Sequence, residues 1–404
     1  MRISTSSFYE KSQAAMSSQQ ENLLRVQQQM GSMSKILTPS DDPIAATRAL
    51  GVTQAIALNS QYAASRGDAI QTLSLEENAL QGVTTILQDV KAMVVQAGNG
   101  TLTDADRASI ATALQSSLDQ LQGLANADDG NGQYLFAGFK SVSPPFIKQS
   151  DGSVLYAGDQ GQRLMQVDIS RQMAATDNGR SIFQTVQGGA GYVNSGSSAN
   201  TGTGVFGPNT VVDSTDPNYG KDFSISFPTA GTYQVDTVPP GAIPVSAGAY
   251  TEGGAIQFGG VQLSISGAPM AGDSFSVASA KNAGADIFGA ISDAIAALRK
   301  PLDTGSNANR AQFLNAMSTA NRKISNGHDN VLTVRSSVGS RLQELDALNT
   351  TGSTRVQFDK SHLSDLQDLD YATAISELYQ RQTALQATQQ AFVKIQKLSL
   401  FNFL

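Results

Sequence analysis

Residues able to do chemistry are few, and their spacing argues against most of it. His328 and His362 are the only histidines. His328 falls beside a heptad seam slot, which suits packing. His362 has Asp359 and Asp365 within a turn, but a carboxylate and an imidazole on one polar helix face make no pocket for acid-base or nucleophilic work. No HExxH pattern occurs, so zinc-peptidase chemistry is not expected. Gly202-Thr203-Gly204-Val205-Phe206-Gly207 spells GxGxxG, yet no strand is predicted before it, and Pro208 stands where the phosphate-binding helix would begin. Asn126 to Gly132 superficially resembles a calcium loop. The twelfth position falls on Ala137 or Phe139, which cannot replace the bidentate glutamate, so the stretch is expected to be a turn. With no cysteine among 404 residues, disulfides, thiolate catalysis and zinc-thiolate sites are excluded together. No catalytic, cofactor-binding or metal residue is assigned, and no enzyme activity is expected.

The elements that might have positioned such groups are better defined than any site. At the C-terminal end Tyr371, Leu378, Leu385 and Phe392 lie seven apart, with Ile375 and Ile395 each three residues from a member of the row. At the other end Tyr9, Met16, Leu23, Met30 and Leu37 repeat the spacing, with Val26 and Met33 in the second seam slot. Two independent heptad rows predict that the chain's own termini pair as a coiled coil. Each stripe is thin and partly polar, carrying Gln382 and Gln389 on one helix and six glutamines from Gln13 to Gln29 on the other. Such a helix owes most of its stability to what it packs on. The tail, Leu398, Leu400, Phe401, Phe403 and Leu404, would be an adhesive patch if left in water.

Between the ends the period changes twice. The first helix is expected from about Ser6 to Leu37, broken by Pro39 and Pro43, with Asp42 and Pro43 opening a long second helix. Leu73, Leu80, Leu87 and Val94, with Val83 and Val90, fill that helix's seam until Gly98-Asn99-Gly100. Thr103 to Asp106 reads as a capping box for a third helix through Ile110, Leu114, Leu118 and Leu121. After Asp128 the period drops to two. Val154 to Tyr156 and Arg163 to Ile169, around the Asp159-Gln160-Gly161 turn, read as a hairpin. Further strands are expected near Phe223 to Phe227, Tyr233 to Val235, Ile256 to Phe258, Val261 to Ile265 and Phe275 to Val277. Helical period returns at Ile287, Ile291, Ile295 and Leu298. Met317, Ile324, Val331, Val338 and Leu345 then form another heptad row, partnered by Ala320, Val334 and Leu348, and Asn349 to Thr354 is expected to interrupt it before the last helix.

The predicted fold is mainly α with a β insertion. Long coiled-coil helices from both termini pair into a rod, and a small central β domain, of one or two units, hangs from its far end. The expected boundaries are residues 1–38 for an N-terminal arm, 39–140 and 284–349 for the two halves of a helical rod domain, 141–283 for the β region with a linker near 188–209, and 350–404 for a C-terminal arm. Lys plus Arg number 27 against 34 Asp plus Glu, a formal net charge of -7, so attraction to nucleic acid or an anionic membrane is not expected. The first residues hold no apolar run that could serve as a signal-peptide core, and no stretch of about 18 apolar residues could span a bilayer.

Several of these segments resemble the flagellin family, and within it the members that sit at the hook-filament junction. They are Met1-Arg2-Ile3-Ser4-Thr5, Pro39-Ser40-Asp41-Asp42-Pro43-Ile44-Ala45-Ala46, Tyr134-Leu135-Phe136-Ala137-Gly138-Phe139 with Pro144-Pro145-Phe146, and Asp368-Leu369-Asp370-Tyr371-Ala372-Thr373-Ala374-Ile375 continuing to Leu404. The Tyr156-Ala157-Gly158-Asp159 turn, Gly259-Gly260-Val261 and Gly272-Asp273-Ser274-Phe275 add to it. The resemblance implies an extracellular structural component of the bacterial flagellum, exported unfolded through the flagellar type III apparatus with an export chaperone and without a cleaved signal peptide. It implies a ring of copies of this chain joining hook-associated protein 1 to flagellin. The assembly interface would comprise Tyr9, Met16, Leu23, Met30, Leu37, Tyr371, Leu378, Leu385, Phe392, Ile395, Leu398, Leu400, Phe401, Phe403 and Leu404. A filament flagellin is the alternative inside the family. A secreted adhesin or an enzyme housed in the β insertion is the alternative outside it.

Overall fold

The computed structural model describes residues 5–302 and 306–401, with side chains between Tyr9 and Lys394 in that span. The chain forms two compact units, residues 1–64 with 347–404, and residues 65–346. No helix among the described residues is long and apolar enough to cross a membrane.

The first unit holds α1 (Thr5–Ser32), the start of α2 (Pro43–Ala97), the end of α6 (Asn307–Gln367) and α7 (Tyr371–Phe401). Helix α1 stops five residues short of the expected Leu37. Met33 takes a left-handed φ of 58°, and the backbone then passes through a single bridge residue, Ser34, into bends and turns. Its polar groups are satisfied across the unit: the Lys35 amide donates to the Gln367 carbonyl at 2.9 Å, and the Leu369 amide to the Met33 carbonyl at 3.1 Å. That bridge places the second break at Asp368 to Asp370. The expected interruption at Asn349 to Thr354 is helical instead, with the Thr354 hydroxyl donating to the Thr350 carbonyl at 3.0 Å. Weak local propensity yields where the backbone stays satisfied.

In the second unit the heptad rows of α2 and α6 are core. Leu73, Leu80, Val83, Leu87, Val90, Ile324, Val331, Val338 and Leu345 are fully buried. Helix α3 (Asp104–Ala125), opened by the Thr103 and Asp106 capping box, buries Leu114, Leu118 and Leu121. It packs against α5 (Ile287–Leu298), a strongly apolar helix capped by Asp286.

The insertion begins with two hairpins in place of the one expected. Strand β1 (Phe146–Lys148) pairs β2 (Val154–Tyr156), and β3 (Leu164–Asp168) pairs β4 (Arg171–Ala174), followed by a short helix α4 (Gly179–Phe183). Strand β1 has only three residues after two prolines, too short for a period to declare itself. The motifs around residues 134–139 and 156–159 meet here. The Asp159 carboxylate accepts from the Phe139 amide at 2.9 Å and the Gly161 amide at 2.8 Å, while the Tyr156 hydroxyl lies 2.6 Å from the Asp159 carbonyl. Beneath them Phe136, Phe146, Phe183 and Phe288 form a ring cluster.

The remaining strands make a sandwich with one core. A five-stranded sheet has the order β10-β9-β8-β13-β5, built from β5 (Val193–Gly196), β8 (Asp222–Thr229), β9 (Thr232–Val238), β10 (Ser246–Ala249) and β13 (Ser274–Ala278). The second sheet joins β6 (Val205–Phe206), β7 (Thr210–Val211), β11 (Ala255–Phe258) and β12 (Val261–Ser266). Phe223, Ile225, Phe227, Phe258, Ile265 and Phe275 fill the space between. Gly259 and Gly260, both at positive φ, form the two-residue turn between β11 and β12; a Cβ at Gly260 would meet the Asp213 carbonyl at 1.9 Å.

Two expectations are corrected. Residues 188–209 supply β5 and β6 to the two sheets and are not a linker. Nor is the insertion confined to one end of the helices it joins: within the second unit it lies along α6 from Gln312 to Glu344. Gln312 donates to the Asn200 carbonyl at 2.7 Å, Asn315 to the Gly204 carbonyl at 2.9 Å, Asn330 to the Ser181 carbonyl at 2.8 Å, and Arg171 to Glu344 at 2.6 Å. Amide side chains on the helix's outer face satisfy loop carbonyls that would otherwise be buried without partners.

Candidate assembly surface

In the first unit α1 and α7 lie antiparallel, held at both ends. The Tyr9 and Phe392 rings meet edge to face with centroids 5.9 Å apart. At the other end the Tyr371 hydroxyl donates to the Met30 carbonyl at 2.9 Å. Three heptads separate Tyr9 from Met30 and Tyr371 from Phe392, so Met16 comes level with Leu385 and Leu23 with Leu378. The two rows predicted separately are one seam.

The breaks beside the seam are laced as tightly. The Ser34 hydroxyl lies 2.9 Å from the Ile36 carbonyl, and the Lys35 ammonium donates to the Asp365 carbonyl at 2.6 Å. The Asp41 carboxylate accepts from the Thr38 amide at 2.9 Å and the Leu37 amide at 3.0 Å, and the Thr38 bond above all lowers its pKa. Asp42 caps α2 through the Ala45 amide at 2.9 Å, and Asp370 opens α7 by accepting from the Thr373 hydroxyl at 2.7 Å. That hydroxyl bond is the main reason the Asp370 pKa is lowered.

What distinguishes this seam is how poorly it is covered. Tyr9, Met16, Leu23, Met30, Leu378, Leu385 and Phe392 are only half-buried, whereas the same slots of α2 and α6 in the second unit are closed completely. Val26 and Ala374 are the buried apolar residues of α1 and α7 among the described side chains. Tyr371 is 43% exposed, Leu24 56% and Tyr379 65%. A shallow groove runs past Tyr379, Thr383, Ala384 and Ala387. Leu37, expected on the α1 row, lies beyond that helix, and Met33, expected in the second slot, points to solvent. The side chains of Ile395, Leu398, Leu400 and Phe401, and the whole of Phe403 and Leu404, lie outside the described residues.

The residues weighed for chemistry take structural places. Buried His328 has its Nδ1 3.7 Å from the Asp329 carboxylate, and burial lowers its pKa. His362 is exposed near the end of α6. In the GxGxxG stretch, the Phe206 amide donates to the Asn315 side chain at 3.1 Å. In the calcium-like stretch, Asp129 is occupied by the amides of Asn131 at 2.9 Å and Gln133 at 3.1 Å. Sequence reasoning missed Glu76, buried in a heptad slot of α2, and Arg341, partly buried in a slot of α6; the available signal was a charge where the row asks for an apolar side chain.

Comparison with known proteins agrees with this architecture. The model of the bacterial flagellin N-terminal helical region matches residues 3–141, and that of the C-terminal helical region matches residues 322–404. The chain is 33% identical over 402 residues to flagellar hook-associated protein 3 of Salmonella typhimurium, covering 100% of this chain and 99% of that one. The chain belongs to the flagellin family, in its hook-associated protein 3 branch. The Escherichia coli member of that branch is 32% identical over the same 402 residues. Similarity to a filament flagellin is narrower: the flagellar filament 41 kDa core protein of Borreliella burgdorferi matches at 30% identity over 30% of this chain and 36% of its own length. Among solved structures, Xanthomonas campestris FlgL is 32% identical with a TM-score of 0.68, covering 78% of this chain and 99% of that one. Flagellar hook-associated protein 3 from Legionella pneumophila is 28% identical with a TM-score of 0.70, covering 78% and 98%. As a member of this branch the chain is a structural protein of the bacterial flagellum.

Proposed function

We propose that this subunit joins the flagellar hook to the filament, as a ring of copies whose α1 and α7 seams are completed by neighbouring molecules. The observation that carries this reading is the contrast in burial. The same seven-residue spacing is sealed from Leu73 to Val94 and from Met317 to Leu345 in the second unit and half open in the first, and ordering a helix costs about 1 to 2 kcal/mol of backbone entropy per residue. A two-helix seam closed on one side recovers little of that, and contact with further helices recovers the rest.

On this reading hook-associated protein 1 lies on one side of the ring and flagellin on the other. The subunit reaches its extracellular position through the type III export apparatus with a dedicated chaperone. The interface would comprise Tyr9, Met16, Leu23, Met30, Leu37, Tyr371, Leu378, Leu385 and Phe392, with the tail residues Ile395, Leu398, Leu400, Phe401, Phe403 and Leu404. The arms would correspond to residues 1–38 and 350–404, the rod halves to 39–140 and 284–349, and the β region to 141–283. Deleting the gene is expected to leave hooks assembled and flagellin secreted into the medium. Retention of normal filaments in the deletion strain would overturn the proposal.

A further inference from the structure

The seam of α2 carries two buried ionisable residues where the pattern calls for apolar ones: Arg66, seven residues before Leu73, and Glu76. Glu76 stands three residues after Leu73, the slot that Val83 and Val90 fill in later heptads. It is fully buried, and neither carboxyl oxygen makes a hydrogen bond among the described residues. On α6, Arg341 stands three residues after Val338 in the equivalent slot, but its guanidinium is committed elsewhere. Nη1 donates to the Ala174 carbonyl at 2.9 Å, and Nη2 pairs with the carboxylate of Asp177 between β4 and α4. The other Asp177 oxygen accepts from Gln162 at 3.0 Å.

The surrounding charges are otherwise engaged. On α2, Glu77 takes Arg335 of α6 at 3.0 Å, and Arg66, about 15 Å back along the helix, donates to the Val167 carbonyl at 2.9 Å. On α6, Glu344 is held by Arg171 of β4. The segment between β4 and α4 offers only Asp177, and α4 only Arg180. The layer thus contains two carboxyls and one guanidinium. It is electroneutral only when one carboxyl keeps its proton, and an unpaired buried carboxylate is strongly disfavoured. Glu76 is the carboxyl that no guanidinium bonds, and burial first, then the Asp177 carboxylate, raises its pKa well above the usual range against the opposing pull of the Arg341 charge.

We propose that Glu76, Asp177 and Arg341 form a proton-linked latch: the subunit folds with one proton held on this layer, and loss of that proton loosens the segment from β3 to α4 from helices α2 and α6.

The test is chemical denaturation of the full chain and its E76Q and D177N variants from pH 5 to 9. In the unfolded chain Glu76 ionises near pH 4.3, while in the folded chain it stays neutral to higher pH. Folding therefore binds a proton, and the folding constant falls tenfold per pH unit between the two pKa values. E76Q lacks this loss. The ratio of its folding constant to that of the wild type is expected to grow tenfold per unit above pH 5, then level off where the folded-state Glu76 ionises. D177N, which leaves Arg341 free to pair with Glu76, should flatten the wild-type slope. In the wild type above the plateau, amide exchange at Gly179 and Ser181, corrected for intrinsic rates, should be faster than in E76Q. A ratio independent of pH would overturn the proposal. Should neither variant fold, unfolding calorimetry of the H328Q variant across pH 5 to 9 in buffers of different ionisation enthalpy decides: release of about one proton that falls away as pH rises supports the latch, and release near zero throughout overturns it.

Discussion

Tyr9 and Phe392, at opposite ends of the chain, meet edge to face with ring planes at 88°. Aromatic pairs of this geometry couple by about 0.5 to 1.5 kcal/mol beyond the area they bury. A double-mutant cycle with Tyr9→Ala and Phe392→Ala, read by amide exchange along α1 and α7, should return a coupling in that range. Additive losses would mean that the two arms order independently.

Removing residues 398–404 is expected to leave the melting temperature of the isolated subunit nearly unchanged while abolishing its incorporation into flagella. The first half is read by calorimetry and the second by electron microscopy of a complemented deletion strain. A large loss of monomer stability would assign the tail to the subunit's own core.

Equivalent truncations in the two units should differ in cost. Leu80→Ala and Leu118→Ala empty sealed positions, and each should cost about 2 to 5 kcal/mol of unfolding free energy. Leu385→Ala, half exposed on the open seam, should cost less in the isolated subunit yet impair assembly strongly. Denaturant titration beside a motility assay separates the two effects.

His328 supplies a pH dependence of its own. Burial lowers its folded pKa, so the unfolded chain takes up a proton first as pH falls below about 6.5, and stability is lost until the folded-state value is reached. His328→Gln should remove that loss between pH 7 and 5.5 while leaving stability at pH 8 little changed. Melting curves at the three pH values check it.

Thr103 accepts from the Asp106 amide at 3.2 Å and so closes the start of α3. Thr103→Ala should cost about 0.5 to 2 kcal/mol, the usual worth of an N-cap, with Thr103→Ser restoring most of it. Denaturant titration of the three proteins gives the comparison.

The heptad rows and the capping box could be read along the chain because each rests on neighbours three, four or seven residues away. Even the pairing of the ends was legible, since Tyr9 to Met30 and Tyr371 to Phe392 carry the same count. Where α1 ends was not. Met33 leaves the helix because Gln367 and Leu369 bond its neighbourhood from the far end of the chain, a condition that no local pattern encodes. Asn349 to Thr354 looked like a break by composition and remained helical, its place inside α6 being fixed by the whole helix and not by these residues alone.

Periodicity alone settled which residues would form stripes, because the helical repeat brings them to one face whatever lies opposite. Whether a stripe becomes core depended on the tertiary structure. In the second unit α3, α5 and the β insertion accompany α2 and α6, and Leu80 and Val331 are sealed. Beside α1 and α7 the same spacing is left half open. Burial belongs to the space between elements, and the sequence of one element does not specify what its neighbours supply.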